Sequence, residues 1–222
     1  PAPSTTIIGA QGIEEGSMKM GDLNGDGFDD LVIAEPEYDG DGLQRGRVLV
    51  HYGSTSGPAL DADVTLAGES DDALFGHGLS VADFNGDGYA DVAIGSPGWN
   101  DTEGNFTGAP GQVVVHLGSA SGLDNTSWWN TTGEDDTSLG WALTASQTMN
   151  GDTMADLVAV AYRHTEQVTS TIQHNGKVII YSGNTSGLDF TRNITQSTDG
   201  PRFGQTIPAN GDFNGDGMSD LL

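Results

Sequence analysis

The chain has 222 residues, with 32 acidic and 7 basic side chains, no cysteine and a formal net charge of −25. So negative a surface excludes DNA, RNA and anionic membranes as partners, since each demands basic patches. The missing cysteines exclude disulfides and thiol chemistry, and no apolar stretch approaches the length of a membrane span, so direct membrane insertion is not expected.

The chain opens on PAPSTT, which reads as a linker or processed terminus and not as a signal peptide. Residues 1–17 are expected to supply an edge or outer strand. A nine-residue acidic loop follows, DLNGDGFDD from Asp22. Its first, third and fifth positions, Asp22, Asn24 and Asp26, point inward as the chain curls. Gly27 permits the sharp bend, because glycine takes positive φ without strain. The carbonyl of Phe28 contributes at position seven, and Asp30 closes the loop at position nine. Several hard oxygens converging from a curved backbone suit calcium. Magnesium prefers fewer protein ligands, and zinc would find no thiolate here. An EF-hand would need its closing carboxylate at position twelve, which is the apolar Ile33.

An apolar run at 31–34 comes next, too short for a helix and rich in β-branched residues. A connection at 35–46 leads to a second strand, GRVLVHYGS from Gly46, then a Ser56-Gly57 turn and a more polar strand at 63–66. The pattern restarts at Phe75-Gly76. Its second acidic loop, DFNGDGYAD, offers Asp83, Asn85, Asp87, the Tyr89 carbonyl and Asp91. A run at 92–95, a connection at 96–110, the strand GQVVVHLGS from Gly111 and a polar strand at 126–129 follow. In that last strand Trp128 and Trp129 are expected to alternate, one buried and one exposed. The third unit opens at Leu139-Gly140 and carries a worn loop, TMNGDTMAD. Thr148 replaces the first Asp and Thr153 the bend glycine, while Asn150, Asp152 and Asp156 remain, so weaker calcium binding or an empty loop is expected there. After a connection at 161–175 and the strand GKVIIYSGN from Gly176, Phe203-Gly204 opens a fourth unit with the loop DFNGDGMSD. Here the ligand set is Asp212, Asn214, Asp216, the Met218 carbonyl and Asp220.

The loops begin 61, 65 and 64 residues apart. Four short antiparallel strands in each of several domain-sized repeats predict an all-β protein built of β-propeller blades. The blades are assigned to 18–74, 75–138 and 139–202, with a partial fourth at 203–222. The combination of Phe-Gly, acidic loop, Gly95-Ser96-Pro97 and GxVxVxxGS resembles the FG-GAP repeats of the integrin α-subunit β-propeller, over nearly the whole chain. The first unit departs from it, with Glu14-Glu15 where Phe-Gly belongs. The resemblance implies that the acidic loop joins the first two strands of a blade and binds Ca²⁺ on one face. It also implies a ring of seven blades, or roughly 430 residues. The expectation is therefore a fragment of a longer polypeptide, or a ring completed by another chain.

His51 and His116 occupy one register position in consecutive repeats and are expected to be structural. No nucleophile motif or phosphate loop appears, so the chain is not expected to be an enzyme; a catalytic reading would need a domain beyond residue 222. In an up-and-down blade the acidic loops and Ser-Gly turns share one end. The other end carries the connections of variable length, where binding function usually sits. Tyr38, Trp99, Phe106, Arg163 and His164 are the candidate ligand-binding residues there. Sequons at Asn105, Asn125, Asn130, Asn184 and Asn193, together with calcium sites, point to an extracellular or cell-surface glycoprotein. The expected function is adhesion or binding of a protein or glycan ligand by a calcium-stabilised module. The alternative is a structural subunit of a filament or surface layer whose ring is completed by neighbouring chains.

Overall fold

Each acidic loop turns the chain back on itself, so the strand before it pairs antiparallel with the apolar run after it. The computed structural model describes residues 18–40, 42–99, 109–134, 136–147, 149–168, 171–174, 176–195, 203, 207 and 210–221. Residues 1–17, Asn105, Phe106 and Thr148 lie outside the described residues.

The first sheet runs β1 (Met18–Gly21), β2 (Asp30–Glu35), β3 (Arg47–His51) and β4 (Val64–Ala67), in spatial order β1-β2-β3-β4. The second repeats it with β5 (Gly78–Ala82), β6 (Asp91–Ser96), β7 (Gln112–His116) and β8 (Ser127–Thr132). The third has β9 (Leu139–Ser146), β10 (Asp156–Ala161), β13 (Lys177–Asn184) and β14 (Gly187–Thr195), ordered β14-β13-β10-β9. A last pair, β15 (Asn210–Gly211) and β16 (Asp220–Leu221), flanks the fourth loop. All pairings between these strands are antiparallel, and no helix occurs among the described residues. The chain is all-β, an open run of propeller blades.

The central strands read as continuous apolar runs because both of their faces are buried. Val32, Ala34, Val48 and Val50 pack from the first sheet against Leu79, Val92, Ile94 and Val114 of the second. The opposite face of the second sheet, with Ala93, Val113 and Val115, meets Leu143, Leu157, Ala159 and Ile179 of the third. Alternation by two thus serves two cores at once.

Gly140 of the Leu139-Gly140 corner sits at φ 92°, where a side chain is strained. A Cβ there would also collide with the Gln112 carbonyl and with the backbone of Gly95 and Ser96. The glycine therefore marks the point where the backbones of two sheets touch. Backbone hydrogen bonds link the blades as well. The Ala90 N–H donates to the Asp22 carbonyl at 2.9 Å, and one repeat later Ala155 N–H donates to Asp83 at 2.8 Å. The first and second acidic loops are thereby fastened to the blades that follow them.

Two expectations need correction. The connection at 161–175 contains a hairpin, β11 (Thr165–Val168) with β12 (Thr171–His174). The two tryptophans do not divide into one buried and one exposed: both are half-buried. A register shift between Val115 and His116 pairs His116 with Ser127 and Val115 with Trp129, so Trp128 is an extra residue that breaks the alternation. Both rings pack against the core between the second and third sheets.

Candidate metal centres and surface positions

The first loop is organised by its own carboxylates. Asp22 accepts from the backbone N–H groups of Gly25 at 2.6 Å, Asp26 at 3.2 Å and Gly27 at 2.9 Å. Asn24 Oδ1 accepts from Asp26 N–H and Asp26 Oδ1 from Phe28 N–H, each at 2.9 Å. These bonds to residues two to five positions ahead are what wind the loop around its oxygens. Gly27 takes φ 86° in open space, so it is the backbone bend and not steric room that requires glycine.

Asp30 does a different job. It is fully buried, and its two oxygens accept from Leu23 N–H at 2.9 Å and Gly53 N–H at 2.7 Å. It therefore ties the loop to the end of β3. The second loop repeats the arrangement: Asp83 holds Gly86, Asp87 and Gly88, while Asp91 holds Phe84 N–H at 2.9 Å and Gly118 N–H at 3.0 Å. In the fourth, Asp212 holds Gly215, Asp216 and Gly217, and Asp220 holds Phe213 N–H at 3.0 Å. The third keeps half of this. Asn150 and Asp152 accept from Asp152 N–H and Met154 N–H, and Gly183 N–H reaches Asp156 at a longer 3.3 Å.

Electrostatically these loops are short of positive charge. Burial raises the Asp91 carboxyl to about 7, against the pull of the Gly118 and Phe84 N–H groups, and the Asp87 and Asp83 charges add to the rise. Burial likewise raises Asp30 and Asp156. Asp212, in the exposed fourth loop, is instead lowered by the Gly217, Gly215, Asp216 and Asn214 N–H groups. None of the ion pairs among the described residues involves a loop carboxylate.

Among the described residues no group of three or more His, Cys, Asp or Glu side chains stands close enough to form a cage by itself. Loops one, two and four offer a mixed set instead: carboxylates at one, five and nine, an Asn amide oxygen at three and a carbonyl at seven. Oδ1 of Asp22, Asp83 and Asp212 accepts two N–H groups each, but Oδ2 of these residues accepts one and keeps a lone pair. So do the oxygens of the carboxylates at positions five and nine. A hard divalent cation fits that donor set and would supply the missing charge.

The remaining expected site residues scatter over equivalent positions of different blades. Tyr38 lies over the Arg47 guanidinium, 3.7 Å from the ring centroid, and Arg47 pairs with the buried Glu35. Arg163 approaches Asp136 at 3.4 Å, and His164 stands 3.9 Å from Glu134. Trp99 is half-buried in a cleft between the first two sheets. The structure therefore does not gather them into one site. Asn125, Asn130 and Asn193 are exposed; Asn184 is half-buried, its Oδ1 accepting from Ser186 N–H and Oγ–H. His51 and His116 each place Nδ1 about 3 Å from a carbonyl, of Ala59 and Asp124. A carbonyl only accepts, so Nδ1 carries the proton. Burial holds the His116 pKa below the usual histidine value, and the neutral ring pins the turn between β7 and β8.

Residues 22–94 match the FG-GAP-like repeat family and residues 75–116 the FG-GAP repeat family. This chain carries FG-GAP repeats of the integrin α-like β-propeller. Integrin alpha-V of Gallus gallus is 27% identical over 215 residues, covering 93% of the chain and 19% of the integrin. Phosphatidylinositol-glycan-specific phospholipase D of Bos taurus is 38% identical over 152 residues, 64% of the chain and 18% of that protein. The FG-GAP chain thus spans about a fifth of the length of these curated relatives. Among solved structures, rhamnogalacturonan lyase YesW superposes with a TM-score of 0.59 at 12% identity, over 93% of the chain and 39% of the lyase. That likeness supports the propeller architecture alone.

Proposed function

We propose that these FG-GAP repeats form part of a calcium-stabilised extracellular interaction module, which binds a protein or glycan through the end of the blades opposite the acidic loops. The observation that carries this reading is the uncompensated carboxylate set repeated in loops one, two and four. Asp22, Asn24, Asp26, the Phe28 carbonyl and Asp30 would hold the first ion, with the corresponding residues holding the others. The ion's work here is structural. It would neutralise the loop that fastens each blade to the next through Asp22 and Asp83. An extracellular setting matches the acidity, the sequons and the relatives named as integrins. The relative named as a phospholipase and the structural neighbour named as a lyase are both far longer than this chain, and the two register-equivalent histidines are committed to backbone carbonyls. We therefore assign the segment a binding role and not a catalytic one.

Melting in calcium and in chelator tests the reading. At a hundredfold excess over its dissociation constant, an ion adds about 2.7 kcal/mol, or about 5–10 °C per occupied site for a chain of this size. An unchanged midpoint would reject calcium stabilisation.

The rival assembly reading draws on Met18 and Met20, 55% and 66% exposed on the first sheet. They pair with Ile33 and Leu31, on the face away from the second sheet. Further blades, from the same or a neighbouring chain, would cover them. Native mass spectrometry separates a discrete particle from an ordered polymer.

A further inference from the structure

Adjacent blades diverge toward their outer strands, and the structure contains two register-equivalent clefts of this kind. One lies between the first and second sheets, with a volume of about 600 Å³; the other lies between the second and third, at about 320 Å³. Strand register aligns their linings. Gln112 pairs with Ser96 at the end of β6, as Lys177 pairs with Ala161 and Arg47 with Glu35. Three residues beyond these β2, β6 and β10 partners stand Tyr38, Trp99 and His164. Asn130 opposes Val114 as Asn193 opposes Ile179 and Thr65 opposes Leu49.

The same positions do different things in each blade. In the first, the Arg47 cation is sandwiched between Glu35 and the Tyr38 ring. In the third, Lys177 and His164 lie 3.7 and 3.9 Å from Glu134, so the smaller cleft is bridged by its own charges. In the second, neither happens. Gln112 replaces the cation, Trp99 replaces the smaller ring, and among the described residues no hydrogen bond engages the side chains of Gln112 or Asn130. The cleft floor is apolar, formed by Phe75 and Val114. Its volume lies within the range of small-ligand sites.

We propose that this first cleft is a binding groove for a neutral saccharide. The inference rests on the interaction-module reading and names its ligand class and place. A tryptophan face carries negative quadrupole charge that attracts the polarised C–H face of a pyranose. The amides of Gln112 and Asn130 each offer donors and an acceptor, which matches vicinal sugar hydroxyls that also donate and accept. Glu69 on the rim and the net charge of −25 disfavour uronic acids and sulfated chains. Ligand would thus lie along the outer flank between two blades, entering from the end opposite the acidic loops, where Trp99 follows β6.

The test uses the full chain in calcium, made in a host that adds no N-glycans, so that Asn130 stays unmodified. An array of neutral gluco-, galacto-, manno- and xylo-configured oligosaccharides is the probe. At least one class is expected to bind, and Trp99→Ala and Asn130→Ala are each expected to weaken it by about tenfold or more. A third variant, Gln112→Arg, restores the residue type of the first blade. It should place a cation over Trp99 and abolish binding, while keeping the melting shift with calcium. His164→Ala, in the smaller cleft, should leave affinity unchanged. Failure of every neutral glycan to bind, or equal binding by Trp99→Ala and Gln112→Arg, overturns the groove. If the calcium shift persists in that outcome, the module reading survives it; if the shift itself is absent, the fault lies with the module.

Discussion

Replacing Asp91 by alanine is expected to destabilise the chain by about 2–6 kcal/mol, since it strands two buried N–H groups at about 1–3 kcal/mol each. Those groups belong to Phe84 and Gly118, and both of their bonds run to one fully buried carboxylate. Asp91→Asn should fall between, because its amide oxygen can still accept from one of them. Asp87→Ala is the contrasting variant. Asp87 lies in the exposed part of the loop and accepts from Tyr89 N–H and Asn85 Nδ2, so its loss in chelator should be small. In calcium both variants should lose the stabilisation from that loop. Urea denaturation in the two conditions separates the roles: Asp91 matters with or without the ion, Asp87 only with it. Equal effects of the two in chelator would show that the link from loop to β7 is not structural.

Gly140→Ala is the second change with a large expected effect. Its φ of 92° penalises any side chain, by about 1–3 kcal/mol. The added methyl would meet the backbone of Gln112, Gly95 and Ser96, none of which can swing aside as a flexible side chain could. Overpacking of this sort costs about 1–3 kcal/mol more. A total of about 2–6 kcal/mol should appear in the urea midpoint, and the second and third sheets should lose their mutual packing. Gly27→Ala provides the control, because it has the positive φ without the collision and should be the milder change. Should the two variants prove equally stable, the backbone approach between sheets is looser than described.

These two positions also show what was legible beforehand. The loops could be read because their determinants are local. Asp22 bonds to residues three to five positions on, so the DxNxDG spacing and the loop conformation are one fact. The blade repeat was legible for a related reason: strands β2, β6 and β10 are short apolar runs at loop-defined offsets. What spans longer separations was not. Asp30 reads as one more cation ligand, yet its oxygens reach Gly53, 23 residues away, and build the corner of the blade. Trp128 and Trp129 broke the expected alternation because a bulge depends on the partner strand. The hairpin β11–β12 lies in a stretch whose length alone suggested a loop. From the sequence Trp99 is one candidate ligand-binding residue among five. Its partners Gln112 and Asn130 lie on β7 and β8, and the facing wall of the cleft, with Leu66 and Glu69, comes from the preceding blade, so no spacing within one repeat assembles the groove.

The central claim is that the acidic loops carry divalent ions which hold successive blades together. Calorimetric titration of the chelator-treated chain with Ca²⁺, comparing it with the triple variant Asp26→Ala, Asp87→Ala, Asp216→Ala, tests this most directly. The account predicts tight uptake at loops one, two and four, with the worn third loop weak or silent, and loss of that uptake in the variant. Absence of calcium uptake by the folded parent chain, or identical uptake by the variant, would contradict it.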